Sequence, residues 1–195
     1  MSYHNYRCFI ENIRRFRQIA PVKWTHLFAL MLGAALLTGC KDSEQTASSP
    51  TPESELPTQA QPKLPTIKLY LGAETLDAEQ ALTQREEMTG MMFRTNVTDE
   101  SAMLFVLPAP MHAPNGFWMT NCPVSLSAAY ISPDGVIEEI HHLEKNDNVA
   151  VVPTHDNIVF VLETSDGWFA RHNVNTGMVV RTERGSLQET YFRSR

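Results

Sequence analysis

The side chains best suited to chemistry in this 195-residue chain fall in a few short stretches. Phe117, Trp118, Met119 and Asn121 come just after a proline-rich loop spanning 108–116. An indole face beside an amide can grip a sugar ring or another flat polar ligand, with Phe117 and Met119 shaping the pocket around it. The plainer alternative is that Trp118 fills the core and Asn121 caps a turn. Arg94 and Glu163, distant in sequence, offer an ion pair that either braces the fold or projects into a pocket. Buried pairs contribute little net stability, which leaves room for the second role.

Met88, Met91, Met92, Met103, Met111, Met119, Cys122 and His112 are soft or borderline ligands suited to monovalent copper. Their spacing is not that of a compact copper motif, and methionine is also ordinary core filler. His141 and His142 are adjacent on an expected strand, so they face opposite ways and are poorly placed to share an ion. For a nucleophile the chain offers Cys122 with His112 or His155, and Ser127 with Glu163. Neither sits in a nucleophile elbow or a papain-like context. No catalytic residue is therefore assigned, no cofactor is expected, and ligand binding is favoured over catalysis.

The remaining cysteines belong to the N-terminus. An apolar run from Leu27 to Leu37 follows a basic segment and ends in Leu36-Leu37-Thr38-Gly39-Cys40. The run is too short to span a bilayer and has the length of a signal-peptide core. It resembles the lipobox of bacterial lipoproteins, which implies cleavage before Cys40 and acylation of that cysteine. Several acyl chains would then hold the protein at a membrane. The basic segment is long, and a start at Val22 would give a more ordinary signal peptide. By resemblance to Gram-negative sorting, Lys41 favours the outer membrane, with the protein facing the periplasm. Cys8 would leave with residues 1–39, so Cys122 has no disulfide partner in the mature chain.

Residues 40–63 form a tether rich in Ser, Thr, Pro, Glu and Gln, with too little apolar surface to offset the entropy of ordering. The whole chain holds 16 basic and 22 acidic residues. Removing the signal segment takes Arg7, Arg14, Arg15, Arg17 and Lys23 against Glu11 alone, leaving 11 basic and 21 acidic. A surface near −10 repels phosphate backbones, so nucleic acid is excluded as a partner.

The elements that must position the candidate residues lie in 64–181. Thr66–Leu71 alternates as a strand, Gly72 turns, and Thr75–Ala81 reads as the returning strand. Thr83–Met88 carries helix formers before Gly90. Met103–Leu107 is a short buried strand that Pro108 and Pro110 should stop. Leu126–Ile131 and Val136–His142 flank a Ser132-Pro133-Asp134-Gly135 turn. Ile158–Leu162 reads as a central strand, Gly167–His172 as one helical turn, and Met178–Arg181 as a last short strand. The expected fold is mainly β, a small single-domain sandwich or barrel-like structure with one or two short helices. Residues 182–195 read as a polar tail.

Three blocks in order, Thr89–Arg94 (TGMMFR), MLFVL with Phe117–Asn121 (FWMTN), and Val159–Gly167 (VFVLETSDG), resemble the bacterial and archaeal family called domain of unknown function 192. With the hairpin they cover about Ile67 to Val180. The resemblance implies a mainly β, sandwich-like fold and no established activity. Thr120 stands where the family usually has Lys, Cys122 where it has Thr, and Ser127 where it has Asp. The expectation is a lipid-anchored envelope domain that binds a sugar, an envelope glycan or another small polar ligand through Trp118, Asn121, Arg94, Glu163, Met119 and Phe117. A protein-interaction or structural role is the second class, and copper binding or hydrolysis the others.

Overall fold

The computed structural model describes residues 56–192. Cys40 and the signal segment, with the first part of the tether, lie outside the described residues. β1 (Thr66–Leu71) and β2 (Glu74–Ala81) form the first hairpin around Gly72, which takes φ 67°. The helix expected next is α1 (Gln84–Thr89), a residue displaced from its reading. Thr83 caps it: its hydroxyl accepts from the Glu86 N–H, and the Glu86 carboxylate accepts from the Thr83 N–H in return.

β3 (Ala102–Met111) runs through the two prolines that should have stopped it. Val106 pairs with Phe160 and Met111 with Ile158, so five residues advance on one strand against two on the other. Pro108 and Pro110 fall in that bulge, where no ladder N–H is required of them. β4 (Leu126–Ile131) and β5 (Ile137–Leu143) form the second hairpin, closed by a Gly135 N–H donating to the Ser132 carbonyl at 2.9 Å. β6 (Ile158–Ser165) is buried at every position because β4 and β3 flank it and an apolar cluster covers each of its faces. A single helical turn, α2 (Trp168–Arg171), follows, then β7 (Val180–Thr182), β8 (Gly185–Ser186) and α3 (Leu187–Tyr191).

The strands make one sheet in the order β5-β4-β6-β3-β2-β1-β7-β8, curled into a half-barrel. Its ends approach each other: Val136 bridges Val179, and the Val180 N–H donates to the Gly135 carbonyl at 2.8 Å. This explains the two apolar clusters. The inner one takes residues from β1 to β7, among them Leu69, Leu104, Ile137, Phe160 and Val180. The outer one lies on the opposite face of β3, β4 and β6 and is covered by the loops that carry Met91, Met119 and Cys122.

Two boundaries of the expected domain move. Residues 182–192 are not a free polar tail: Leu187 is fully buried, Tyr191 packs on Phe160, and Ser186 with Glu189 forms a second capping box. At the other end Gln61, within the expected tether, donates from Nε2 to the Glu86 and Gly90 carbonyls at 3.2 and 2.9 Å. Three short helices stand where one or two were expected. Among the described residues no helix is long and apolar enough to cross a membrane.

Candidate functional site

The three sequence blocks meet on the outer face of the sheet. After Gly90 ends α1, the chain buries Met91 and Met92 and turns at Phe93, whose φ is 62°. That conformation aims the Phe93 N–H at the Asn121 carbonyl, 2.7 Å away, which ties the first block to the second. The second block is set by Gly116, where a Cβ would run into the Val151–Val152 backbone, with Val152 Cα at 2.9 Å. Phe117 can therefore bridge Val151. Met119 donates its N–H to the Asp147 carbonyl at 2.8 Å, Asn121 turns with φ 60°, and Cys122 donates to the Met119 carbonyl at 3.0 Å. The third block supplies Glu163 from β6, between its strand partners Met103 on β3 and Ala128 on β4.

Arg94 does not hydrogen-bond Glu163. Its guanidinium grips Glu79 of β2 with two bonds, Nη1 to Oε1 at 2.6 Å and Nη2 to Oε2 at 2.8 Å. Burial opposes ionisation of Glu79. The bonds from Arg94 and the Leu64 N–H, with the charges of Arg94 and Lys63, outweigh it and hold the carboxyl below its usual range. Glu163 is 4% exposed and interacts with Arg94 through its charge. Burial pushes its pKa up to about 8, against the pull of the Arg94 charge. Cys122 shares the environment: burial first, then the Glu163 charge, raise its thiol to about 12. It is a protonated thiol at neutral pH, a poor nucleophile.

The six proposed ligand-binding residues thus sit at three depths. Met119 and Glu163 are buried in the outer face. Phe117 is half-buried and meets Phe105 edge-on at 4.9 Å. Trp118, 36% exposed, and Asn121 are on the surface of the loop. Arg94 alone of the six lines a cleft of about 220 Å³, whose other polar walls include Lys63, Asp77, Glu79, Glu100 and Ser101. Sequence reasoning missed Glu79, which sits inside β2 and meets Arg94, on the loop after α1, only in the folded chain.

The other constellations read from the sequence come apart or become structural. Ser127 pairs with Thr164 and Ala128 with Glu163, so Ser127 and Glu163 face opposite sides of the sheet. The Ser127 hydroxyl accepts from the Gly167 N–H at 2.9 Å. His155, one of two bases considered for Cys122, is held by Glu139 at 2.8 Å. His141 and His142 do diverge: the first meets Glu139 at 2.7 Å, the second Asp166 at 2.7 Å. Met91, Met103, Met111, Met119 and Cys122 all belong to the outer apolar cluster. Among the described residues no three His, Cys, Asp or Glu side chains are grouped to hold a metal ion.

A family model described as uncharacterized ACR, the domain of unknown function 192, matches residues 67–182. Two solved structures are similar to this chain. One, from Sinorhizobium meliloti 1021 and provisionally described as a transcription regulator, aligns with a TM-score of 0.55 and 24% identity, covering 63% of this chain and 98% of its own. The other, a protein of unknown function from Novosphingobium aromaticivorans DSM 12444, aligns with a TM-score of 0.56 and 25% identity, covering 68% and 98%. No curated protein matches significantly.

Proposed function

The chain belongs to the uncharacterized ACR family, and on that premise we propose that its β domain is a lipid-anchored, envelope-facing module that binds a small polar ligand, a sugar or an envelope glycan. The observation that carries this reading is the cleft at Arg94. Side chains from four separate segments converge there, mixing donors (Lys63, Arg94, Ser101) with acceptors (Asp77, Glu79, Glu100). A polyhydroxylated ligand, whose every oxygen both donates and accepts, matches such a mixture better than a purely anionic or apolar one. Arg94 cannot swing freely, because Glu79 holds both of its terminal nitrogens. Its fixed position is the pre-organisation that a weak polar ligand requires. The anchoring half of the proposal rests on the Leu36–Cys40 sequence and on the tether that follows.

A second seat for the same ligand class is the loop surface at Trp118, favoured by that residue's 36% exposure. A thermal-shift screen of residues 56–195 against sugars and peptidoglycan fragments distinguishes the two. Thr66, exposed at the start of β1 and lining the cleft, tolerates a larger strand-forming side chain, so Thr66→Trp fills the cleft. A ligand at 100 times its dissociation constant stabilises the domain by about 2.7 kcal/mol. The shift should vanish in Thr66→Trp and survive in Trp118→Ala. The reverse pattern moves the site to Trp118, and no shift with any glycan rejects the proposal.

A further inference from the structure

Among the described residues a glycine follows an Asn or Asp in three places: Asn115-Gly116, Asp134-Gly135 and Asp166-Gly167. At such pairs a chain can modify itself, because glycine lacks the Cβ that would hinder its nitrogen from reaching the preceding side-chain carbonyl. The nitrogen must act as a nucleophile, so an N–H already committed to a hydrogen bond is withheld from the reaction. The fold withholds two of the three. Gly135 donates its N–H to the Ser132 carbonyl at 2.9 Å. Gly167 donates to the Ser127 hydroxyl, also at 2.9 Å. The Gly116 N–H has no acceptor among the described residues, and the Asn115 carboxamide has no partner there. Asn115 ends an exposed stretch, residues 112–114, where its own N–H donates to the His112 carbonyl at 3.0 Å. Ring closure therefore has to turn only Asn115, on the open side of the loop.

We propose that Asn115 deamidates in the folded protein through a cyclic imide with Gly116, and that the isoaspartyl product loosens the Phe117–Val151 bridge. The Gly116 nitrogen, having lost its proton to solvent base, attacks Asn115 Cγ. A C–N bond forms there, and the side-chain nitrogen leaves as ammonia. Water then opens the ring. Cleavage of the new Cγ–N bond leaves aspartate, whereas cleavage at the original main-chain carbonyl leaves isoaspartate, with the backbone rerouted through Cβ and Cγ. Both products add a negative charge, but only isoaspartate lengthens the main chain. Gly116 has no room to take up that length, since it lies against the Val151–Val152 backbone, where an added Cβ would meet Val152 Cα at 2.9 Å. The strain falls on the next residue, where the Phe117 N–H donates to the Val151 carbonyl at 3.2 Å and the Val151 N–H returns a bond of 2.7 Å. That bridge seats the loop carrying Trp118.

The test is peptide mapping of the full chain after incubation at mildly alkaline pH in ¹⁸O-labelled water, once native and once in urea. The solvent oxygen marks every ring opened during the incubation. In the native protein label should enter at residue 115 and not at Asp134 or Asp166. In urea, where no N–H is withheld, all three sites should take it up. An Asn115 that converts only in urea overturns the proposal, as does native labelling of Asp134 and Asp166 at the rates seen in urea. Amide hydrogen exchange at Phe117 and Val151 then compares the purified isoaspartyl form with Asn115→Asp, which carries the charge on an ordinary backbone. Exchange should be about tenfold faster in the isoaspartyl form, as for the loss of a hydrogen bond. Equal exchange in the two overturns the effect on the bridge.

Discussion

Glu163 sits in the outer core at 4% exposure, between Met103 and Ala128, with Arg94 as a nearby charge but not a hydrogen-bond partner. Its carboxyl titrates near 4.5 when solvated and about 8 when folded. Between those values the folded protein keeps a proton that the unfolded chain has lost, so stability falls as pH rises through the interval. Glu87 moves in the same direction, also to about 8, so the comparison has to be made against Glu163→Gln. Denaturant titrations from pH 5 to 8 should show the wild type losing up to about 1.4 kcal/mol per pH unit more than the variant. Parallel pH profiles would mean that Glu163 is ionised and solvated in the native state. Cys122, raised to about 12, should resist thiol reagents in the native state at pH 8 and react on unfolding, as peptide mapping of the labelled site would report. The candidate residues were only partly legible in sequence. Arg94 and Glu163 stood out as charges beside apolar neighbours, but the partner of Arg94 is Glu79, which occupies an ordinary alternating strand.

At the scale of elements, the two hairpins, the central strand and the helix before Gly90 follow from alternation, turn residues and a capping box, all local properties. The failures were tertiary. Pro108 and Pro110 read as a stop, yet a bulge carries them outside the ladder and β3 continues to Met111. The polar C-terminal text hid Leu187, whose burial comes from packing against the inner face rather than from any run of apolar neighbours. Leu187→Ala should therefore cost about 2–5 kcal/mol in denaturant unfolding, where a free tail would show no change. Gly135 marks where the curled sheet meets its own end. It has φ 84°, and a Cβ there would lie 2.7 Å from the Val180 carbonyl oxygen. Gly135→Ala should destabilise by at least about 1–2 kcal/mol, the usual penalty for a left-handed non-glycine residue, with the clash added to it. An unchanged midpoint would show that the hairpin and residues 177–180 do not touch in solution.

For the whole molecule, the half-barrel and the family are settled by the match over 67–182 and by the two solved structures with the same fold. The sequence carried both, since three separated blocks and one hairpin occur in a fixed order. Attachment is a proposal of a different kind, resting on five residues before the tether. Cys40→Ser should abolish incorporation of labelled palmitate and move the protein from the membrane to the soluble fraction. Label retained in the variant would place the acylation elsewhere, and a wild-type chain that takes up no label would remove the anchor from the account. The central claim concerns the cleft at Arg94, and a crystal structure grown with a glycan that scores in the thermal-shift screen tests it most directly. The account predicts sugar density against Lys63, Asp77, Arg94 and Ser101, with the Arg94–Glu79 pair unmoved. Density over Trp118 alone, or a cleft occupied only by solvent at saturating glycan, would contradict it.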